Sequence, residues 1–415
     1  MTVVAAHRPA DRLSSYALFA ALLAAAGLPI YIHAPKFYVD EYGVSLAALG
    51  AVLFGLRLID VVQDPLLGRL SERYRHKRSL AVGIALVIIA VAMLGLFAIT
   101  PPISPLIWFA AMLTVVFSAF SFLTINFYAQ GVLKAGQLSG SGHLRLARWR
   151  ETGALLGVCL AAIAPVMLGA VMDRPFAGFA VGFAVVALMA LMVMRDEWGA
   201  GHADASPGFG VVLRDPLARR LLLIALLNAA PVAVSSTLFL FFVESRLQAP
   251  GMEGPLLLLF FLSAAVAAPL WGKLAELYGA KQVLLAAMVL AIVAFGFAIT
   301  LQAGDVALFA LICLASGAAL GADLTLLPAM FATRMSQIAP SASEGFGLWS
   351  FVSKFTLAFA AAFLLPALEA SGFRAGPDNP QDALALLSLL YAGVPCALKV
   401  FAIILLARTK MEGTV

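Results

Sequence analysis

The sequence predicts an all-α membrane protein of twelve spanning helices, arranged as two bundles of six. Three observations predict it. Of 415 residues, 63% are hydrophobic and only 12% are charged, about half the charge of an ordinary soluble domain. The apolar residues gather into twelve runs of about 18 to 25 residues, enough to cross a bilayer as helices. One long polar stretch, Arg195 to Arg220, divides six runs from six. A soluble fold cannot hide this much apolar surface, whereas a bilayer can.

In the first half the runs lie near 14–36, 44–67, 79–100, 106–130, 151–172 and 175–194. In the second they lie near 221–243, 255–274, 281–300, 305–330, 345–369 and 383–407. The break between carries Asp196, Glu197, Asp204, Pro207, Gly208, Asp215 and Pro216. The expected domains are therefore residues 1–194, a linker over 195–220, and residues 221–415. Leu18 to Gly27 resembles a signal-peptide core. The apolar run continues to about Phe37, however, and the pairing of halves described below needs six spans before the linker. A retained first span is expected.

Basic residues report orientation. Counted with both termini on one side, that side holds twenty of the 27 Lys and Arg residues. They include Arg8, Arg12, the loop from Arg69 to Arg78, Lys134 to Arg150, the linker, Lys273, Lys281, Arg334, Arg408 and Lys410. The other side holds Lys36, Arg174, Arg246 and Arg374, while Arg57, Lys354 and Lys399 fall within spans. This bias places both termini in the cytoplasm, with a bacterial inner membrane as the expected location. The net charge of +5 is then a topology signal, and no nucleic-acid partner is expected. Cys159, Cys313 and Cys396 all lie in apolar runs, as small packing residues do, and form no disulfide framework or metal site.

The chain repeats. Displaced by 204 residues, Asp64-Pro65-Leu66-Leu67-Gly68-Arg69-Leu70-Ser71-Glu72-Arg73-Tyr74 overlies Ala268-Pro269-Leu270-Trp271-Gly272-Lys273-Leu274-Ala275-Glu276-Leu277-Tyr278. Each copy ends a span, the second or the eighth, and enters a basic turn. Two six-helix halves repeating in parallel are the plan of the major facilitator fold, whose solute site lies between the halves near mid-membrane. Each copy also resembles the loop signature of that superfamily, a Gly, three residues, an acid and then basic residues. In the second copy Phe261, Ala264 and Ala268 replace Arg57, Asp60 and Asp64. The first half therefore carries three ionisable groups that helix packing alone does not require.

Asp60 and Asp64 are four residues apart and share one helix face. Each charge in a span costs about 2.5–3.5 kcal/mol on the insertion scale, and like charges repel, so a cation is expected between them. Carboxylate oxygens suit a small hard ion such as Na⁺; shared protons serve nearly as well, and Gln63 could lend an amide oxygen. The alternative is an inert network neutralised by Arg57. The run Arg57-Leu-Ile-Asp60-Val-Val-Gln63-Asp64-Pro65-Leu-Leu-Gly68 resembles the span-2 signature of the glycoside–pentoside–hexuronide:cation symporters. The resemblance implies that the two acids bind the coupling Na⁺, Li⁺ or H⁺. It also places the family's functional span-11 lysine on Lys354, within Val352-Ser353-Lys354-Phe355, and a span-5 arginine on Arg150.

The departures are equally informative. In the family's melibiose carrier, span 1 bears a sugar-binding aspartate, and counting back from Asp60 lands on Ala24. A second one, in span 4, falls on Asn126 or, in a register that keeps a matching Thr at Thr124, on Phe127. Both sugar-gripping carboxylates are therefore absent. A vertebrate branch of the family carries lysophospholipids, so an amphiphile or organic anion stands beside a glycoside as the expected solute. Lys354, His33 and Lys36 would suit an anionic group.

Span 1 also holds Pro29, which would interrupt helix bonding as in spans that line a cavity, with Tyr31 and Pro35. Lys36 lies near the outer interface, where it can snorkel. Asp323 follows Gly317 and Gly321 in span 10, and its expected partner is Lys354, as a structural or a solute-side pair. Lys399 in span 12 has no evident partner.

The candidate cation-binding residues are thus Asp60, Asp64, Gln63 and Thr124. The candidate solute and coupling residues are Arg57, Lys354, Asn126, His33, Asp323 and Arg150. A membrane acyl- or glycosyltransferase is the competing class. Of His7, His33, His76, His143 and His202 only His33 lies in a span, and the chain lacks His-Glu-x-x-His, Gly-x-Ser-x-Gly and an Asp-rich loop. A cation-coupled symporter is expected, with no catalytic residues, no cofactor and no metal beyond the coupling ion. Its expected partners are a small-molecule solute, the cation and the bilayer, and a monomer is expected.

Overall fold

The computed structural model describes residues 13–138, 140–198, 208–339, 341–374, 376 and 378–411. Arg8, Arg12, His7, His202, Asp204 and Pro207, and the side chains of Pro29 and Tyr31, lie outside the described set. The first half contains α1 (Leu13–Ala25), α2 (Leu28–Tyr42), α3 (Leu46–Arg73), α4 (Arg78–Phe97), α5 (Pro105–Gln137), α6 (Gly142–Gly169) and α7 (Pro175–Met194). A short α8 (Phe209–Arg214) follows. The second half contains α9 (Pro216–Phe241), α10 (Glu253–Tyr278), α11 (Ala280–Gly296), α12 (Val306–Ile338), α13 (Ser343–Ala370), α14 (Gln381–Ser388) and α15 (Val394–Arg408).

One span is interrupted and another is widened by a π-turn. Span 1 is α1 plus α2, with the backbone interrupted at Ala26–Gly27 immediately before the Pro-bearing first turn of α2. Proline is well placed there, because its missing N–H has no helical partner at that position. Span 12 is α14 plus α15, joined through a wide π-turn at Leu389–Gly393, and a second π-turn at Phe242–Arg246 extends α9. Among the described residues nine helical segments are long and apolar enough to cross a membrane. The two broken or charge-bearing spans, α1–α2 and α3, together with α13, make twelve.

The helices are apolar on the outside as well as within. In α4, Leu80, Ile84, Val87 and Val91 are exposed while Val82, Leu86, Ile89 and Met93 are buried. In α3, Leu58, Val62 and Leu66 form an exposed stripe, and Asp60 and Asp64 are buried on the opposite face. Such an arrangement is stable only where the solvent is lipid.

Within the first half α1 packs on α6 and α4 on α5 and α7; within the second, α10 and α11 pack on α12, and α9 on α15. The halves meet through α3 against α13 and α6 against α10. Backbones meet where α3 ends and α13 begins. A Cβ on Gly347 would stand 3.2 Å from both the Asp64 carbonyl oxygen and the Gly68 Cα, so small residues on both helices permit backbone contact. Arg148 of α6 lies over Gly272 of α10 and reaches Glu276 at 3.5 Å. Arg78 donates to Ser343 at 3.3 Å and to Gln130 at 3.3 Å.

The internal repeat maps onto equivalent helix ends, Asp64–Tyr74 closing α3 and Ala268–Tyr278 closing α10. The apolar copy has its own cause. A Cβ on Gly321 would stand 2.7 Å from the Ala264 carbonyl oxygen and 3.2 Å from the Ala268 nitrogen. Ala264 and Ala268 thus face a helix at backbone contact, where an aspartate has no room. Asp60 and Asp64 instead face side chains.

Candidate ion and solute site

Asp60 and Asp64 meet the residue expected from span 11. The Lys354 Nζ lies 3.1 Å from Asp64 Oδ2 and 3.5 Å from Asp60 Oδ2, donates to Asp64 Oδ1 at 3.2 Å and donates to the Ser121 Oγ at 2.6 Å. Ser350, one turn before Lys354 on α13, donates its hydroxyl to Asp64 Oδ2. Asp64 is wholly buried and Asp60 nearly so. One ammonium from the second half is therefore shared by two carboxylates of the first. Gln63 turns its amide N–H, rather than its oxygen, toward Asp60 Oδ1, and its oxygen accepts from Ser118 at 2.9 Å. Arg57 is half-buried one turn earlier on α3.

Asp323 does not pair with Lys354. It accepts a hydrogen bond from Lys399 of α15, which also donates to the Asn228 Oδ1 of α9 at 2.6 Å. Asp323, Lys399 and Asn228 are all buried. The expected partner lost because Lys354 is held by two acids on α3, leaving Asp323 to a lysine whose place in span 12 gave no hint of it.

Three further candidates stand apart. The Asn126 Oδ1 accepts from Ser71 at 2.8 Å and its amide donates to the Phe122 carbonyl at 2.8 Å, so it ties α5 to α3. The His33 Nε2 lies 3.1 Å from the Ala161 carbonyl oxygen, and its ring meets Phe176 and Phe179 edge-on; it braces α2 against α6 and α7. Arg150 pairs with its neighbour Glu151 at 2.7 Å, with its guanidinium 3.9 Å from the centre of the Tyr128 ring. Lys36 is exposed and pairs with Asp40 one turn on.

The two charged clusters border one cavity of about 340 Å³ between the halves. Lys354, Ser350 and Ser353 line it from α13, Asp323 from α12, Asn228 from α9 and Thr124 from α5. Trp349, Tyr128 and Phe346 supply aromatic wall, with Tyr128 and Phe346 in contact at 4.9 Å between ring centres. Thr124 thus faces the cavity rather than the two carboxylates. Sequence reasoning missed Ser350, Ser121, Asn228 and Glu151. Only Ser350, one helical turn from Lys354, and Glu151, next to Arg150, carried a local signal.

Twelve spans in two halves, with a largely apolar cavity between them that carries a few charged, hydroxyl and amide side chains, define a multi-pass transporter of the major facilitator class. The chain belongs to the MFS/sugar transport protein family, whose model matches residues 14–413. Comparison with curated proteins gives no match. Among solved structures it is similar to a bacterial homologue of the iron transporter ferroportin in its outward-facing state. That alignment has a TM-score of 0.67 and 16% identity, covering 96% of this chain and 99% of the other. It is also similar to the human organic anion transporter MFSD10 (TETRAN), with a TM-score of 0.65 and 17% identity over 96% and 100% of the chains. At such identities these likenesses speak to the fold.

Proposed function

We propose that the chain is a cation-coupled symporter of a neutral, sugar- or glycoside-like solute, with Asp60 and Asp64 as the coupling-ion site. The observation that carries this reading is the Lys354 ammonium shared between the two buried carboxylates. Two like charges at this depth require a positive partner, and α13 supplies one on a tether. A Na⁺ or a proton at the carboxylates competes with that ammonium. Its arrival releases Lys354 and loosens α3 from α13, the most extensive contact between the halves. Ion binding and the opening of the halves are thereby linked, as alternating access requires.

The solute class follows from the family and from the cavity. Lys354, the lysine of the described lining, is already paired with carboxylates, so the ion-free protein offers an anionic solute no uncommitted ammonium there. Hydroxyls and an amide, with Trp349 as an aromatic wall, suit a polyhydroxylated ring. An anionic or amphiphilic solute is the second reading. It is favoured by the release of Lys354 into the cavity, and it requires the cation to bind first. The excess of Lys and Arg on the terminus side supports a plasma-membrane protein of bacterial type with both ends in the cytoplasm.

The test is accumulation of labelled hexosides and hexuronides in proteoliposomes under imposed Na⁺ or pH gradients. Wild-type protein accumulates a neutral hexoside against its gradient, and Asp60→Asn and Asp64→Asn each abolish accumulation while inserting normally. Coupled accumulation that survives both changes removes the ion-site assignment. Accumulation of hexuronides alone favours the second reading.

A further inference from the structure

We infer that the free carboxylate oxygen of Asp323 accepts a hydrogen bond from a hydroxyl of the transported solute, with Lys399 and Asn228 as positioning residues. This rests on the solute reading above. The first half lacks a carboxylate at the positions of Ala24 and Asn126, and Asp323 supplies one to the cavity between the halves from the second half.

Asp64 and Asp323, each paired with a lysine, differ in one respect. Asp64 has both oxygens engaged, Oδ1 by Lys354 and Oδ2 by Lys354 and Ser350. Asp323 has its Oδ2 engaged by Lys399, but its Oδ1 is buried without a hydrogen-bond partner among the described residues. Asp323 is 7% exposed and lines the 340 Å³ cavity. An ionised carboxylate accepts up to about four hydrogen bonds, and leaving one buried oxygen unpaired is expensive. A purely structural pair would engage both oxygens, as the Asp64 site does in the same protein.

The surrounding groups hold that oxygen in place. Lys399 is fixed by Asn228 at 2.6 Å and in turn fixes Asp323, so three helices, α9, α12 and α15, set the orientation of one carboxylate. A carboxylate paired with an ammonium is a strong acceptor through its other oxygen. Across the cavity the Thr124 Oγ1 is also buried without a partner among the described residues. A solute with several hydroxyls meets both orphan groups, one from each half. The free oxygen accepts and cannot donate, so the grip suits a hydroxyl and not an ionised carboxylate of the solute.

The experiment uses full-length protein in detergent and the binding of 4-nitrophenyl hexopyranosides, their singly deoxygenated derivatives and 4-nitrophenyl hexuronides. Wild-type protein should lose at least about tenfold in affinity when one particular hydroxyl is deleted, the scale of a hydrogen bond to a charged group. Asp323→Asn leaves Lys399 without its counter-ion, so Asp323→Asn/Lys399→Gln, which removes both charges, is measured beside it. In either variant the parent hexoside weakens, and the same deoxygenation then costs no more than about twofold. If no single deoxygenation costs the wild type about tenfold, or if the cost persists in the folded variants, Asp323 is not the grip and the solute class stands. If no hexoside binds the wild type, the solute reading fails and the inference fails with it.

Discussion

The Lys354 ammonium of α13 lies 3.1 Å from the carboxylate of Asp64 on α3, a contact that crosses from one half of the molecule to the other. One helical turn toward the termini, the same two helices touch backbone to backbone at Gly68 and Gly347. The charge that neutralises the site and the packing that closes the halves therefore lie on a single helix pair. Four predictions follow from this and from the contacts around it, and the last measurement tests the pair itself.

Removing the ammonium should expose the cost it offsets. Lys354→Met leaves Asp60 and Asp64 buried without their counter-charge, and breaking a buried pair in this way costs about 3–5 kcal/mol. Thermal melting at low Na⁺ and high pH should show the variant markedly less stable than wild type. Raising Na⁺ or lowering pH should restore much of the difference. A loss of stability that neither ion recovers contradicts competition between Lys354 and a cation.

Bulk at the Gly68–Gly347 contact should hold the halves apart. Gly347→Leu cannot keep the backbone separation, so the terminus-side closure opens. In a background with Cys159, Cys313 and Cys396 replaced by Ala, Ser353→Cys should react several-fold faster with a membrane-impermeant maleimide applied from the linker side. Unchanged labelling would show that this contact does not control access.

Asp215 provides a pH-dependent tie outside the spans. It caps α9 by accepting from the Ala218 N–H at 2.7 Å and pairs with Arg334 at the end of α12. The hydrogen bond from Arg334 holds its carboxyl below the usual carboxylate range, with burial opposing and the capping N–H assisting. A depressed folded value means that this stability is fully present above the unfolded value of about 3.9 and is lost as pH falls through the folded one. Asp215→Asn keeps a competent cap and should flatten the melting profile below about pH 4. Asp215→Ala should cost about 1 kcal/mol more by losing the cap as well. Identical acid profiles in wild type and Asp215→Asn would remove the pair from the account.

Topology is checked by fusions. A reporter inserted in the 195–220 segment should read cytoplasmic, and one between Gly372 and Pro380 periplasmic. The reverse pattern, or both on one side, contradicts the orientation drawn from Lys and Arg.

Much of this was legible in the sequence, and for identifiable reasons. Spans are readable because lipid demands about 20 apolar residues whatever the neighbours are. Asp60 and Asp64 are readable because a charge in such a run is conspicuous, and their spacing fixes a shared face. Lys354 was placed at the site through family resemblance alone. The pairing of Asp323 with Lys399 was not legible: the residues are 76 apart on helices whose contact no local pattern records. For Asn126 and His33, polarity within a span marks a partner without saying whether that partner is solute or protein. Both had protein partners, Ser71 and the Ala161 carbonyl. The absence of charge at Ala264 and Ala268 had a cause that only packing revealed, the close approach of Gly321.

The most direct test of the central claim is cation binding to purified protein without any solute. Melting temperature is followed against Na⁺ at constant ionic strength, and separately against pH, for wild type, Asp64→Asn and Lys354→Met. Competition for the Asp60–Asp64 site predicts a saturable upward shift with at least one of the two cations in wild type. It predicts no such shift in Asp64→Asn, and a midpoint at lower cation concentration in Lys354→Met, where the tethered competitor is gone. The same cation response in wild type and Asp64→Asn would contradict the account.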